Sequence, residues 1–301
     1  MRTLVFLITA ASLAASPAFS QQPPGGARQG GQPVCGQGPL PPGGGGLGGK
    51  NPCLVSNIFV APGTVGRTTL RRQWVNIPVG GVNVRTWIEY PQGEAPAPVV
   101  LVMHHAQGLD DWIRSVADQL ALEGFIAVAP DLYSGFGPAG GGTDSFRFPD
   151  EAMRATAGKL TPAEALRRYR AAWNYAIKLP RSNGKGGTIG FREGGDWSFR
   201  LAGEVPEVSA AVVFYGRPPT EAAMARIKAP VLGLYASEDT AVTATVAPTT
   251  EAMKKLGKVY EPHVYQGATH AFLMYQVEAV NTPATTDSWP RATAFLRQYL
   301  R

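Results

Sequence analysis

Cysteine is scarce: Cys35 and Cys53 are the two in a chain of 301 residues. Both lie in a Gly/Pro-rich stretch of low complexity, which places neither well for catalysis or metal binding. An even pair closing one glycine-rich loop reads instead as a disulfide, in an oxidising compartment. Long apolar runs are also lacking. The N-terminal one, Leu4 to Ala15, is interrupted by Thr9 and Ser12 and falls short of the roughly 20 residues that span a bilayer. No later segment is long enough, so no membrane span is expected. A dense basic patch is missing too. Lys and Arg exceed Asp and Glu by 28 to 22, a formal charge of +6, but they are scattered. Their tightest group, Arg167, Arg168 and Arg170, falls in a helical pattern whose buried stripe is Leu166, Tyr169, Trp173 and Ala176. The arginines are therefore expected on the solvent side. Scattered charge argues against a nucleic-acid partner and leaves a mild attraction for small anions. There is no internal repeat. The glycine-rich stretch from Ser134 to Thr143 lacks the Lys-Ser/Thr of a phosphate-binding loop and is expected to form a flexible rim or lid.

What is present begins with an address. Met1-Arg2-Thr3 is a short positive start, and Ala18-Phe19-Ser20 puts small residues where a signal peptidase reads. Residues 1–20 are expected to be a secretory signal peptide cleaved near Ser20, leaving a periplasmic or secreted protein. Residues 21–55 repeat Pro-Pro-Gly-Gly and Gly-Gly-Gly-Gly with few aliphatic side chains. Such a segment cannot offset its ordering entropy, so it reads as a flexible tether carrying Cys35 and Cys53. Residues 56–301 suffice for one sizeable α/β domain.

Within that domain the apolar period changes from strand to helix repeatedly. Gln73–Val79 and Val82–Tyr90 flank Gly80-Gly81 as a hairpin. Pro98–Met103 is a continuous apolar run, the mark of a strand buried on both faces. A helix over Asp110–Glu123, a strand over Phe125–Ala129 and a helix over Thr161–Leu179 follow. Then come strands at Thr188–Phe191, Val208–Tyr215, Val231–Tyr235 and Val259–Tyr265. Helices are expected at Asp196–Gly203, Ala247–Leu256 and Asp287–Leu300. A hairpin followed by alternating β and α units predicts a mostly parallel sheet with helices on both faces. Ligands of such sheets bind at the carboxyl ends of the strands.

One of those ends reads Gly190-Phe191-Arg192-Glu193-Gly194-Gly195. A strand, a G-x-Nuc-x-G turn and a helix make the nucleophile elbow of α/β-hydrolases, with the central residue thrust into the active site. Downstream, Glu238-Asp239 ends one strand with an acid, and Thr269-His270-Ala271-Phe272 ends another with a histidine. Nucleophile, acid, histidine is the chain order of this fold.

With Pro130-Asp131-Leu132-Tyr133, Phe214-Tyr215-Gly216-Arg217-Pro218 and the segment His104 to Arg114, these motifs resemble the dienelactone hydrolase family from about residue 73 onward. The resemblance implies an α/β-hydrolase fold and hydrolysis of ester or lactone bonds in small substrates. It implies His270 as general base, Asp239 as its orienting acid, and oxyanion donors on the backbone N–H groups of Glu193 and near Ala106. No metal or cofactor is implied, and a monomer or homodimer is expected. Two positions depart from the family pattern. Arg192 stands where relatives carry cysteine or serine, and His105 stands where many carry glutamate. A guanidinium stays protonated at any ordinary pH and cannot be the nucleophile. Ser198, two residues into the following helix, is expected to point elsewhere. Catalysis is thus expected to be weakened or unconventional, with water activated by His270. Alternatively the chain is an inactive relative, in which Arg192 and His105 grip a small carboxylate. Arg192 paired only with Glu193 is an equally open reading.

Overall fold

In the computed structural model of the chain, the described residues are 58, 61–276 and 281–301. The expected signal peptide, the tether and the Cys35–Cys53 bridge lie outside them. Two strands open the sheet, β1 (Arg72–Val79) and β2 (Val82–Glu89), paired antiparallel from Arg72↔Glu89 to Val79↔Val82. Gly80 and Gly81 both take positive φ, as a two-residue hairpin turn demands. Then follow β3 (Ala97–Met103), helix α1 (Asp111–Leu122), β4 (Ile126–Pro130), α2 (Pro149–Thr156) and α3 (Pro162–Ala176). The second half runs β5 (Ser182–Phe191), α4 (Glu193–Glu204), β6 (Ala210–Phe214), α5 (Glu221–Met224) and β7 (Val231–Ala236). It closes with α6 (Thr240–Thr243), α7 (Val246–Lys255), β8 (Tyr260–Tyr265) and α8 (Asn281–Tyr299).

The eight strands form one sheet in the order β1-β2-β4-β3-β5-β6-β7-β8, parallel except where β2 meets its neighbours. Each central strand sends alternate residues to opposite layers, which is why its sequence is apolar throughout. Val100 and Val102 of β3 join Trp112, Val116, Trp289 and Leu296 of α1 and α8. Val99, Leu101 and Met103 join Tyr169, Trp173, Phe199 and Leu201 of α3 and α4. Helix α1 begins at Asp110, whose carboxylate accepts from the Ile113 N–H, the expected N-cap chemistry.

Four expectations need correction. Strand β5 starts at Ser182 rather than Thr188, because Gly186 and Gly187 pair with β3 despite lacking side chains. Helix α8 starts at Asn281, six residues before Asp287. Arg168 is not on the solvent side: it is 2 % exposed and donates to the Leu132 and Ser134 carbonyls while pairing with Glu164. Arg167 and Arg170 do face outward. Finally, the stretch from Ser134 to Thr143 is no loose lid. It closes on itself through the amides of Gly135 and Gly137, both donating to Gly141 O. It is also fastened to Asp131, whose carboxylate accepts from both the amide and the hydroxyl of Thr143 at 2.7 Å.

Candidate active site

Parallel pairing aligns the carboxyl ends of the strands along one edge: Met103 lies opposite Gly190, Phe191 opposite Phe214, and Ala236 opposite Tyr265. The turns that follow converge there. After β5, Arg192 takes φ 54° and ψ −118°, a conformation sparsely populated by residues with a Cβ. Its amide donates to Phe214 O, and its carbonyl accepts from Asp196 N as α4 begins. The turn needs bare backbone on both sides. A Cβ on Gly190 would stand 1.9 Å from Gly194 O, and one on Gly194 would stand 2.1 Å from Met103 O. So the sequence spacing of glycines around Arg192 follows from steric exclusion, and the elbow holds its central side chain up at the strand ends.

Asp239 and His270 meet at the same edge. Asp239 follows β7 and begins α6, with its carbonyl accepting from Val242 and Thr243 N–H. Its Oδ2 contacts His270 Nδ1 directly. That contact puts the proton on Nδ1 of a neutral ring and leaves Nε2 as a base. The loops are tied together by Ser237 N to Tyr265 O and Glu238 N to Ala268 O. Asn281, fully buried at the start of α8, clamps the histidine loop. Its Oδ1 accepts from Thr269 N and its Nδ2 donates to Tyr275 O. Nothing local in the sequence marks Asn281 for this role, since it acts across twelve residues.

The turn after β3 carries Ala106, and its two histidines shape it. His104 is buried; its Nδ1–H donates to His105 O, and its Nε2 accepts from Leu132 N at 3.2 Å. Burial lowers its pKa, which keeps the ring neutral as that second bond requires. His105 accepts from Gln107 N at Nδ1, and its Nε2 lies 3.2 Å from Asp110 Oδ2, bent from a straight hydrogen bond. The His105 side chain is 0 % exposed. This corrects the expectation that it grips a ligand: with both ring nitrogens turned to the protein, it is a brace for the turn. The same occupancy leaves neither histidine a free lone pair for a metal. Among the described residues no group of three His, Cys, Asp or Glu is placed to hold one. Tyr133 completes the frame by donating its hydroxyl to Ala106 O at 2.6 Å.

Ala106 N–H points to the elbow, where it meets an acceptor from this same chain: Glu193 Oε2 at 3.1 Å. That oxygen is 3.9 Å from Arg192 Nε, so the ion pair between neighbours is loose. Glu193 is the first residue of α4, and its own N–H is one of the helix-start amides with no intrahelical partner. The two expected oxyanion donors therefore flank Arg192. Arg192 Nε is covered yet donates to nothing among the described residues, and the same holds for the hydroxyl of Tyr215. Tyr215 has φ 43°, is 1 % exposed, and its ring lies 5.6 Å from that of His270. Burial raises its pKa, and the nearby Arg192 charge opposes that rise. Asp196, one turn into α4, is pushed up to about 6 by burial, against the Arg217 N–H that it accepts, with Glu193 adding repulsion. Ser198 points away, bonded to Thr188 and Val212 O in the core.

Comparison with known proteins agrees with this geometry. A sequence model described as "Dienelactone hydrolase family" matches residues 84–300. A protein of Saccharolobus solfataricus named "Putative carboxymethylenebutenolidase" is 31% identical over 247 residues, covering 72% of this chain and 95% of its own. "Protein usf" of Aquifex pyrophilus is 31% identical over 240 residues, covering 76% and 99%. Among solved structures, that of a "Putative Dienelactone Hydrolase" from Klebsiella pneumoniae superposes with a TM-score of 0.68 at 26% identity, spanning 77% of this chain and all of that one.

Proposed function

Because the chain belongs to the dienelactone hydrolase family, we propose that it is an exported hydrolase of ester or lactone bonds in small substrates, working without a covalent nucleophile. The observation that carries this reading is the Asp239–His270 contact beside the Arg192 elbow. His270 Nε2 takes a proton from water as the water oxygen attacks the carbonyl carbon. The carbonyl oxygen gains charge and is held by the Glu193 and Ala106 N–H groups, once the Glu193 side chain has left the latter. The carbon–oxygen bond then breaks, and the proton on His270 passes to the departing alkoxide. Arg192 offers a fixed positive charge to the oxyanion and to the acid produced. Lacking a covalent step, such a site retains about a thousandfold acceleration from its donors and binding, far below a full triad. Residues 1–20 support export by their charge, apolar run and small terminal residues.

A second reading has its own observation. The Glu193 carboxylate sits on the Ala106 amide beside Arg192, so the elbow is already organised around an anion. An inactive relative that binds a small carboxylate there would need nothing further. Hydrolysis of an activated aryl ester by the parent, His270→Ala and Arg192→Cys separates the two. Turnover in the parent that disappears in His270→Ala supports the hydrolase. Activity that arises only in Arg192→Cys supports the inactive binder and sinks the first reading.

A further inference from the structure

The residue after the elbow has a consequence for what the site binds. Glu193 Oε2 accepts from Ala106 N at 3.1 Å, where a substrate oxyanion or carboxylate oxygen would rest. The same oxygen is 3.9 Å from Arg192 Nε, which is covered and has no hydrogen-bond partner among the described residues. Next to Arg192, the Tyr215 hydroxyl is buried and unpartnered as well. Arg192 Nε is thus a spare donor beside the Glu193 carboxylate, which stays beyond hydrogen-bond distance from it. That side chain is 54 % exposed and is the first of α4, so it can swing into solvent without disturbing the helix. Asp196 repels it from one turn below, and this weakens its hold.

We infer that the Ala106 amide and the Arg192 guanidinium form a binding site for a small carboxylate, with Glu193 as its tethered occupant, which an external carboxylate displaces. This rests on the anion-binding reading of the elbow. A side chain anchored one residue away competes as an intramolecular ligand, at an effective concentration of millimolar or more. It lowers the affinity of any external carboxylate accordingly. It also spares Arg192 an unpaired, partly buried state when the site holds no ligand. In the inferred site one oxygen of a planar carboxylate takes the Ala106 N–H and the other the Arg192 Nε, which Glu193 leaves at 3.9 Å.

Benzoate is the probe, titrated by calorimetry into the parent protein, Glu193→Ala and Glu193→Gln, with benzamide as the neutral control. Glu193→Ala is expected to bind benzoate about tenfold tighter than the parent, equivalent to about 1.4 kcal/mol. Glu193→Gln, which keeps an acceptor but loses the charge, is expected to fall between them. Adding Arg192→Ala to Glu193→Ala should abolish the gain, and benzamide should not discriminate among the variants. Equal benzoate affinity in the parent and Glu193→Ala, both lost with Arg192→Ala, would leave the anion reading standing and overturn the displacement alone. A gain that survives removal of Arg192 would overturn the assigned site. Absence of benzoate binding in every folded variant would overturn both, while the ester-hydrolysis comparison would still decide the hydrolase reading separately.

Discussion

Asp131 holds Thr143 by two atoms at once, accepting from its hydroxyl at Oδ1 and from its amide at Oδ2. Thr143 Oγ1 in turn accepts from Leu109 N, on the turn that presents Ala106. One carboxylate therefore fixes both the glycine-rich rim and the flank of the oxyanion turn. Asp131→Ala is expected to cost about 2–4 kcal/mol, since it strips acceptors from three donors, the third being Tyr133 N. Denaturant unfolding gives the cost, and limited proteolysis should newly cut between residues 134 and 143. Unchanged stability and an uncut rim would show that the loop is held by other means.

Arg168 and Arg167 are neighbours with opposite prospects. Arg168 is 3 % exposed at its side chain and satisfies two buried carbonyls, whereas Arg167 is 58 % exposed. Arg168→Ala should destabilise by about 3–5 kcal/mol, because it orphans those carbonyls and leaves Glu164 without its buried partner. Arg167→Ala should stay within about 0.5 kcal/mol. Equal effects from the two would contradict the placement of Arg168.

Asp196 makes stability depend on pH in an unusual direction for a carboxylate. Its folded pKa is raised from 3.8 to about 6, so between those values the folded state holds a proton that the unfolded chain has released. Stability contributed by this group is therefore present at low pH and lost as pH rises through about 6. Asp196→Asn keeps an acceptor for Arg217 N and removes the titration. Relative to the parent, it should gain about 1–2 kcal/mol on going from pH 4 to pH 7, the raw shift being discounted for residual solvent. Parallel stability–pH curves for the two proteins would rule this out.

Tyr215 carries a buried hydroxyl without a partner among the described residues, a group that costs free energy where it stands. Tyr215→Phe should leave stability unchanged or raise it by up to about 1 kcal/mol. Its ring contacts with Phe214, Phe272 and His270 are retained. If the phenylalanine variant instead binds benzoate several-fold more weakly at unchanged stability, the hydroxyl belongs to the anion site. A loss of more than about 1 kcal/mol in thermal unfolding would mean that the hydroxyl has a structural partner.

Much of this was open to reading in the order of residues. The apolar runs of β3, β4 and β6 announce strands covered on both faces, and Gly190, Gly194 and Gly195 announce a turn with no room for side chains. Asp239 and His270 could be paired from their positions at strand ends, thirty-one residues apart. Other assignments could not be made that way. Arg168 looks like one more cation in a basic run; besides Glu164, the carbonyls of Leu132 and Ser134, more than thirty residues away, make its burial favourable. His105 looks like a ligand group until Gln107 and Asp110 are seen to take both its nitrogens. The rim looks flexible by composition, because glycine content reports the entropy of the unfolded chain and not the acceptors that Asp131 supplies.

The sequence by itself determined the layered α/β architecture, the glycine-flanked turn after β5 and the arginine at its centre. Those depend on local sterics, on periodicity and on the identity of one side chain. What Arg192 and Glu193 face was decided only by the tertiary structure. The Ala106 amide is brought to Glu193 from 87 residues away by the parallel pairing of β3 with β5. A hydrogen bond across that span leaves no trace in local spacing, because it exists only once the sheet has closed.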